Sequence, residues 1–148
     1  MGTRSTIALE FADGSVSQVY CHWDGYLEHN GQILEAHYTD PFKVRELVDL
    51  GDFSSLRETV AETAEGAYNK RSYEEDDGTI VFEVCDARRY QNADEYFDCC
   101  QQEEYDYILR NFEGKATWFV RCYATDGVWC TLGEAKGLVE RMNESECY

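Results

Sequence analysis

A chain of 148 residues with thirty Asp and Glu against thirteen Lys and Arg carries a formal charge of −17, yet 43% of it is hydrophobic and 14% aromatic. That apolar content excludes a disordered acidic tail, which is poor in such residues, and the charge argues against nucleic acid or an anionic membrane as a direct ligand. No apolar run approaches the ~20 residues of a membrane span and no signal-peptide core follows Met1, so one cytosolic domain over 1–148 is expected, its last residues 143–148 frayed.

Ile7, Leu9 and Phe11 alternate with Ala8 and Glu10, and Val19, Cys21 and Trp23 alternate with Gln18, Tyr20 and His22. Asp13-Gly14 between them predicts a hairpin with a two-residue type I′ turn. Ile33, Leu34 and His37 predict a short helix with His37 facing the core. Asp40-Pro41 then supplies an N-cap and a first-turn proline, Val44, Leu47 and Val48 the helical stripe, and Gly51 the stop. Ser55 with Glu58 has the spacing of a capping box. Residues 62–78 read as a loop ending in a turn, followed by a strand with Ile80, Phe82 and Val84 on one face.

Asn92 with Glu95 opens a helix over 93–103, with Ala93, Tyr96, Phe97 and Cys100 on its apolar stripe. Tyr105, Tyr107 and Leu109 alternate with Asp106 and Ile108, Glu113-Gly114 turns, and Trp118, Val120 and Cys122 alternate with Phe119 and Arg121. Asp126-Gly127 turns again, and Thr131 with Glu134 caps a last helix carrying Ala135, Leu138, Val139 and Met142. Hairpins with helices between them predict an α+β fold: a twisted antiparallel sheet with helices packed on one face.

The charge is uneven. Residues 1–60 hold ten acids and four bases, 61–112 fourteen and five, and 113–148 six and four, giving −6, −9 and −2. The middle third contains the run Glu74, Glu75, Asp76 and Asp77, and then Asp94, Glu95, Asp98, Glu103, Glu104 and Asp106 along a helix and the strand it enters. Duplex DNA presents one charge per ~1.7 Å of axis. A row of carboxylates imitates that field and suits a Lys/Arg groove, so these ten acids are the candidate partner-binding face. The bland alternative is a solvated surface kept for solubility.

Other chemistry is poorly supported. Glu74–Gly78 lacks the calcium-loop pattern with its distal Glu. The seven cysteines are odd in number and lack C-x-x-C spacing, so they read as small buried hydrophobes rather than a disulfide framework or a metal site. No phosphate-binding loop, dinucleotide fingerprint or nucleophile elbow occurs, and no cofactor is expected. The segment Cys21 to Tyr26 offers an alternative site in His22, Trp23, Asp24 and Tyr26. Cys21 and His22 are adjacent in a strand, however, and point to opposite faces.

The opening Thr3-Arg4-Ser5-Thr6-Ile7-Ala8, the segment Val19-Tyr20-Cys21-His22-Trp23-Asp24-Gly25-Tyr26 with Gly31 beyond it, Leu50-Gly51-Asp52 before Ser54-Ser55-Leu56, and Gly114-Lys115-Ala116-Thr117-Trp118 resemble a family of small acidic phage and prophage proteins. The resemblance is most specific over residues 3–56. It implies an accessory gene product in a bacterial cytosol and brings no catalytic residues with it. With the charge, it leads to the expectation of a non-enzymatic anti-CRISPR or anti-restriction inhibitor. Its expected partner is a basic, nucleic-acid-binding host complex. A small enzyme or ligand-binding domain using residues 21–26 and a phage housekeeping interaction protein are the alternatives.

Overall fold

The alternation at the N-terminus becomes two strands, β1 (Ser5–Glu10) and β2 (Val16–Cys21), paired antiparallel from Ser5 opposite Cys21 to Glu10 opposite Val16. The computed structural model describes residues 3–68, 72–82 and 85–146. The turn is longer than the Asp13-Gly14 signal implies. Phe11 N–H donates to the Ser15 carbonyl at 2.8 Å, enclosing three residues, and only Gly14, at φ +90°, is left-handed. The Asp13 carboxylate accepts from Ser15 N–H at 2.9 Å, which settles the three-residue loop over the two-residue one.

A π-helical turn at Leu27–Gly31 leads into α1 (Gln32–His37). Leu34 and Tyr38, four apart, take the buried stripe, so His37 falls off it and is exposed beside Glu58 at 3.7 Å. Asp40 caps α2 (Pro41–Asp49) by accepting from Phe42 N–H at 3.0 Å, and Val44, Leu47 and Val48 are fully buried. Thr59, not Ser55, caps the next helix, α3 (Val60–Ala64): its hydroxyl accepts from Glu62 N–H and donates to the Glu62 carboxylate. Leu56 enters the core from the segment before it.

A small two-stranded sheet of β3 (Ser72–Glu74) and β4 (Ile80–Phe82) follows; Val84 lies outside the described residues. Its turn repeats the first one, with Glu75 N–H on the Thr79 carbonyl, Gly78 at φ +87° and the Asp77 carboxylate accepting from Thr79 N–H. β5 (Arg88–Tyr90) then pairs with β2. Asn92 caps α4 (Ala93–Cys99) through Glu95 N–H. This helix stops four residues before the expected end. Buried Gln18 holds the Gln101 backbone at both groups, donating to its carbonyl at 2.9 Å and accepting from its N–H at 3.3 Å, which draws the chain off the helix.

The remaining strands are β6 (Tyr105–Phe112), β7 (Lys115–Cys122) and the short β8 (Cys130–Thr131), after which α5 (Leu132–Glu146) continues past the fraying point expected at Asn143. The six-stranded order is β5-β2-β1-β6-β7-β8. Every pair is antiparallel except β1–β6, which is parallel and joins the two hairpin halves into a mixed sheet. Both edge strands are short, which limits unwanted pairing.

One face carries Ile7, Leu9, Val19, Cys21, Tyr107, Leu109, Trp118 and Val120 beneath α1, α2, α5 and the segments between them. The other carries Ala8, Val16 and Ile108 beneath α4, whose Tyr96 is fully buried among Tyr90, Phe97, Phe119 and Trp129. α4 is thus the exception to the expected one-sided layering. Among the described residues no helix is long and apolar enough to cross a membrane.

Candidate protein-binding surface

Strand alternation sets the α4 face out in rows. One row across the sheet is Gln18, Ala8, Ile108 and Phe119; the next is Tyr20, Thr6, Asp106 and Arg121. The alternation continues to His22, Arg4, Glu104 and Tyr123. α4 covers the first row and its exit, residues 100–103, lies against the second. In the third row His22 is half-buried while Arg4, Glu104 and Tyr123 are exposed.

This placement removes Asp106 from the candidate face. Its carboxylate is 1% exposed, pairs with Arg121 at 3.1 Å, and accepts from Thr6 Oγ1 at 2.7 Å and from Glu103 N–H at 3.1 Å. The even number of a strand residue put it on the α4 face, but the chain leaving α4 roofs that position over. Burial pushes the carboxyl up, against the pull of Thr6, the Glu103 amide and Arg121. Arg121 also lies over the Trp129 ring at 4.8 Å and donates to Cys100 Sγ at 3.5 Å.

The other nine acids fall into two groups on separate elements. Glu74, Glu75, Asp76 and Asp77 are exposed at the tip of the β3–β4 hairpin. Asp94, Glu95 and Asp98 are exposed on α4, and Glu104 is exposed beyond its end. Glu103 is half-buried and accepts from Gln101 Nε2. Two of the exposed acids also have local duties: Asp77 closes its turn and Glu95 accepts from Gln91 N–H at 2.6 Å.

At the alternative site, residues 21–26, the backbone is tied to its neighbours, Trp23 N–H to the Ser54 carbonyl and Gly25 N–H to the Thr3 carbonyl. The buried Cys21 thiol faces the main core, donates toward the Trp23 and Ser54 carbonyls, and is pushed up by burial. His22 points the other way and shares a 2.7 Å hydrogen bond with Tyr20 OH, leaving no Cys–His pair. Asp24 adopts φ 58°, and Gly25 is needed because a Cβ there would stand 2.6 Å from Ser5 Cβ and 2.9 Å from the Thr3 carbonyl. Trp23 is 42% exposed. Tyr26 is half-buried against His29. Among the described residues no group of three or more His, Cys, Asp or Glu is gathered to hold a metal ion.

Sequence reasoning gave no weight to Tyr20, Arg4 or Tyr123, which complete the outer rows; only the row register exposes them. It also missed Asp52, buried between β2 and β5, where it forms a two-pronged pair with Arg88 at 3.0 Å and accepts from Tyr20 N–H. The Leu50-Gly51-Asp52 segment signalled a helix stop but not this clamp. Comparison with known protein families, curated proteins and solved structures finds no match for the chain.

Proposed function

We propose that this chain is a phage-encoded counter-defence inhibitor that imitates nucleic acid, binding the basic groove of a host CRISPR effector or restriction nuclease and excluding the real polymer. One observation carries the reading. Glu74, Glu75, Asp76, Asp77, Asp94, Glu95, Asp98 and Glu104 are exposed, and none forms an ion pair with a described residue. Among the described residues the buried acids Asp52 and Asp106 are each paired with an arginine. The uncompensated field therefore points outward, where it accelerates encounter with a basic partner.

Capture from host lysate at low and high salt tests this. The expected result is recovery of a nucleic-acid-binding defence complex at low salt, released by added duplex DNA and lost when Asp94→Lys, Asp98→Lys and Glu104→Lys are combined. Capture indifferent to those reversals and to DNA would sink the proposal.

A further inference from the structure

The open end of the α4 face differs in chemistry from the helix above it. Tyr20, His22 and Trp23 form an aromatic ladder there, with ring centroids 5.9 Å and 4.7 Å apart and the Tyr20–His22 hydrogen bond fixing two of the rings. The backbone at Trp23 is anchored: its main-chain N–H donates to the Ser54 carbonyl at 2.9 Å, and Gly25 N–H two residues on donates to the Thr3 carbonyl at 2.8 Å. A large exposed ring on an anchored backbone, with its neighbour's ring at its edge, gives contact area at reduced ordering cost.

Carboxylates lie farther along the same rows, Glu104 in the row of His22 with Arg4 between them and Glu103 one residue before it. Glu103 acts on the Tyr20 phenol, opposed by the exposed Arg4. Glu103 and Glu104 line a cleft of about 260 Å³ with Tyr123, which is 71% exposed, and with Arg121, already engaged by Asp106. Acid outweighs base here, beside exposed aromatic faces.

The chain itself shows what such a setting takes. On this same face Arg121 lies over Trp129 while pairing with Asp106, and Arg110 lies over Phe97 at 5.1 Å while pairing with Glu10 at 3.0 Å. Each is a guanidinium between an aromatic ring and a carboxylate. The outer rows offer the ring and the carboxylate to solvent. We infer that this end of the sheet is a docking surface for arginine side chains of a basic protein partner, with Tyr20, His22 and Trp23 as the stacking platform and Glu103 and Glu104 as acceptors. Arginine is preferred over lysine because its planar, weakly hydrated group stacks on rings and forks onto carboxylates, whereas an ammonium is a strongly hydrated point charge. The inference rests on the proposed basic partner and narrows where and how it is gripped.

Oligo-arginine and oligo-lysine peptides of equal length, titrated calorimetrically into the full chain, provide the test. The arginine peptide is expected to bind about fivefold tighter. Trp23→Leu, which keeps bulk but removes the π face, should erase that preference, and Glu103→Gln with Glu104→Gln should weaken both peptides. Equal affinities for the wild-type protein, or a preference that survives Trp23→Leu, overturn the inference. If both peptides bind equally and Asp94→Lys with Asp98→Lys weakens them, the basic-partner reading stands without this surface. If neither binds, both readings fall.

Discussion

Removing Arg121 strands a carboxylate. Asp106 lies 1% exposed between β1 and β7, and truncating one member of a buried pair leaves the other charge uncompensated, at a cost of about 3–5 kcal/mol. Arg121→Met should therefore lower stability to chemical denaturation by about that amount, while Asp106→Leu combined with Arg121→Met should recover most of it. A double variant no more stable than the single one would show that the pair is not the cause. None of this was visible in the order of residues. Asp106 and Arg121 occupy the polar positions of alternating strands, and alternation reports which face a residue takes, not whether that face is covered. Gly25 is required for a reason as remote from its neighbours in sequence: a Cβ there would meet Ser5 and the Thr3 carbonyl.

Elements were readable in proportion to how locally they are stabilised. The caps at Asp40, Asn92 and Thr131 rest on atoms within three residues, and each hydrogen bond forms as the spacing predicts. The hairpin of β6 and β7 was equally plain, because Glu113 and Gly114 both adopt positive φ. The parallel pairing of β1 with β6 leaves no local trace: Ser5 meets Tyr105, a hundred positions on. The early end of α4 is likewise imposed from outside, by Gln18. Its Oε1 also accepts from Tyr90 OH at 2.9 Å, so one buried amide ties β2, β5 and the α4 exit. Gln18→Leu keeps the volume and removes those bonds. It should cost about 2 kcal/mol, with hydrogen exchange rising first at residues 100–104 while the β1–β2 amides stay protected. Uniform loss of protection across the sheet would count against that role.

At the scale of the whole molecule, acidic character and aromatic content act together. Among the described residues six tyrosines are shifted toward the neutral phenol. Burial is the first cause in each: it pushes up Tyr20, Tyr38 and Tyr90, raises Tyr105 to about 12 with Tyr123, Cys122, Glu28 and Glu104 adding to it, and holds Tyr96 and Tyr107 well above the usual range. A phenol raised in the folded state contributes stability that is fully present below the unfolded value near 10 and is lost as pH climbs toward 12. In that window the unfolded chain has released protons that the native one retains, so unfolding becomes progressively easier. Each new phenolate also adds to a surface already at −17, and self-repulsion acts in the same direction. An alkaline titration followed by phenolate absorbance should therefore show the exposed tyrosines ionising first, with the remainder appearing together at a cooperative unfolding step. In denaturant all eleven should titrate on one curve near 10. Native protein that ionised every tyrosine on that curve while keeping its circular dichroism would show that the phenols are not held as the fold requires.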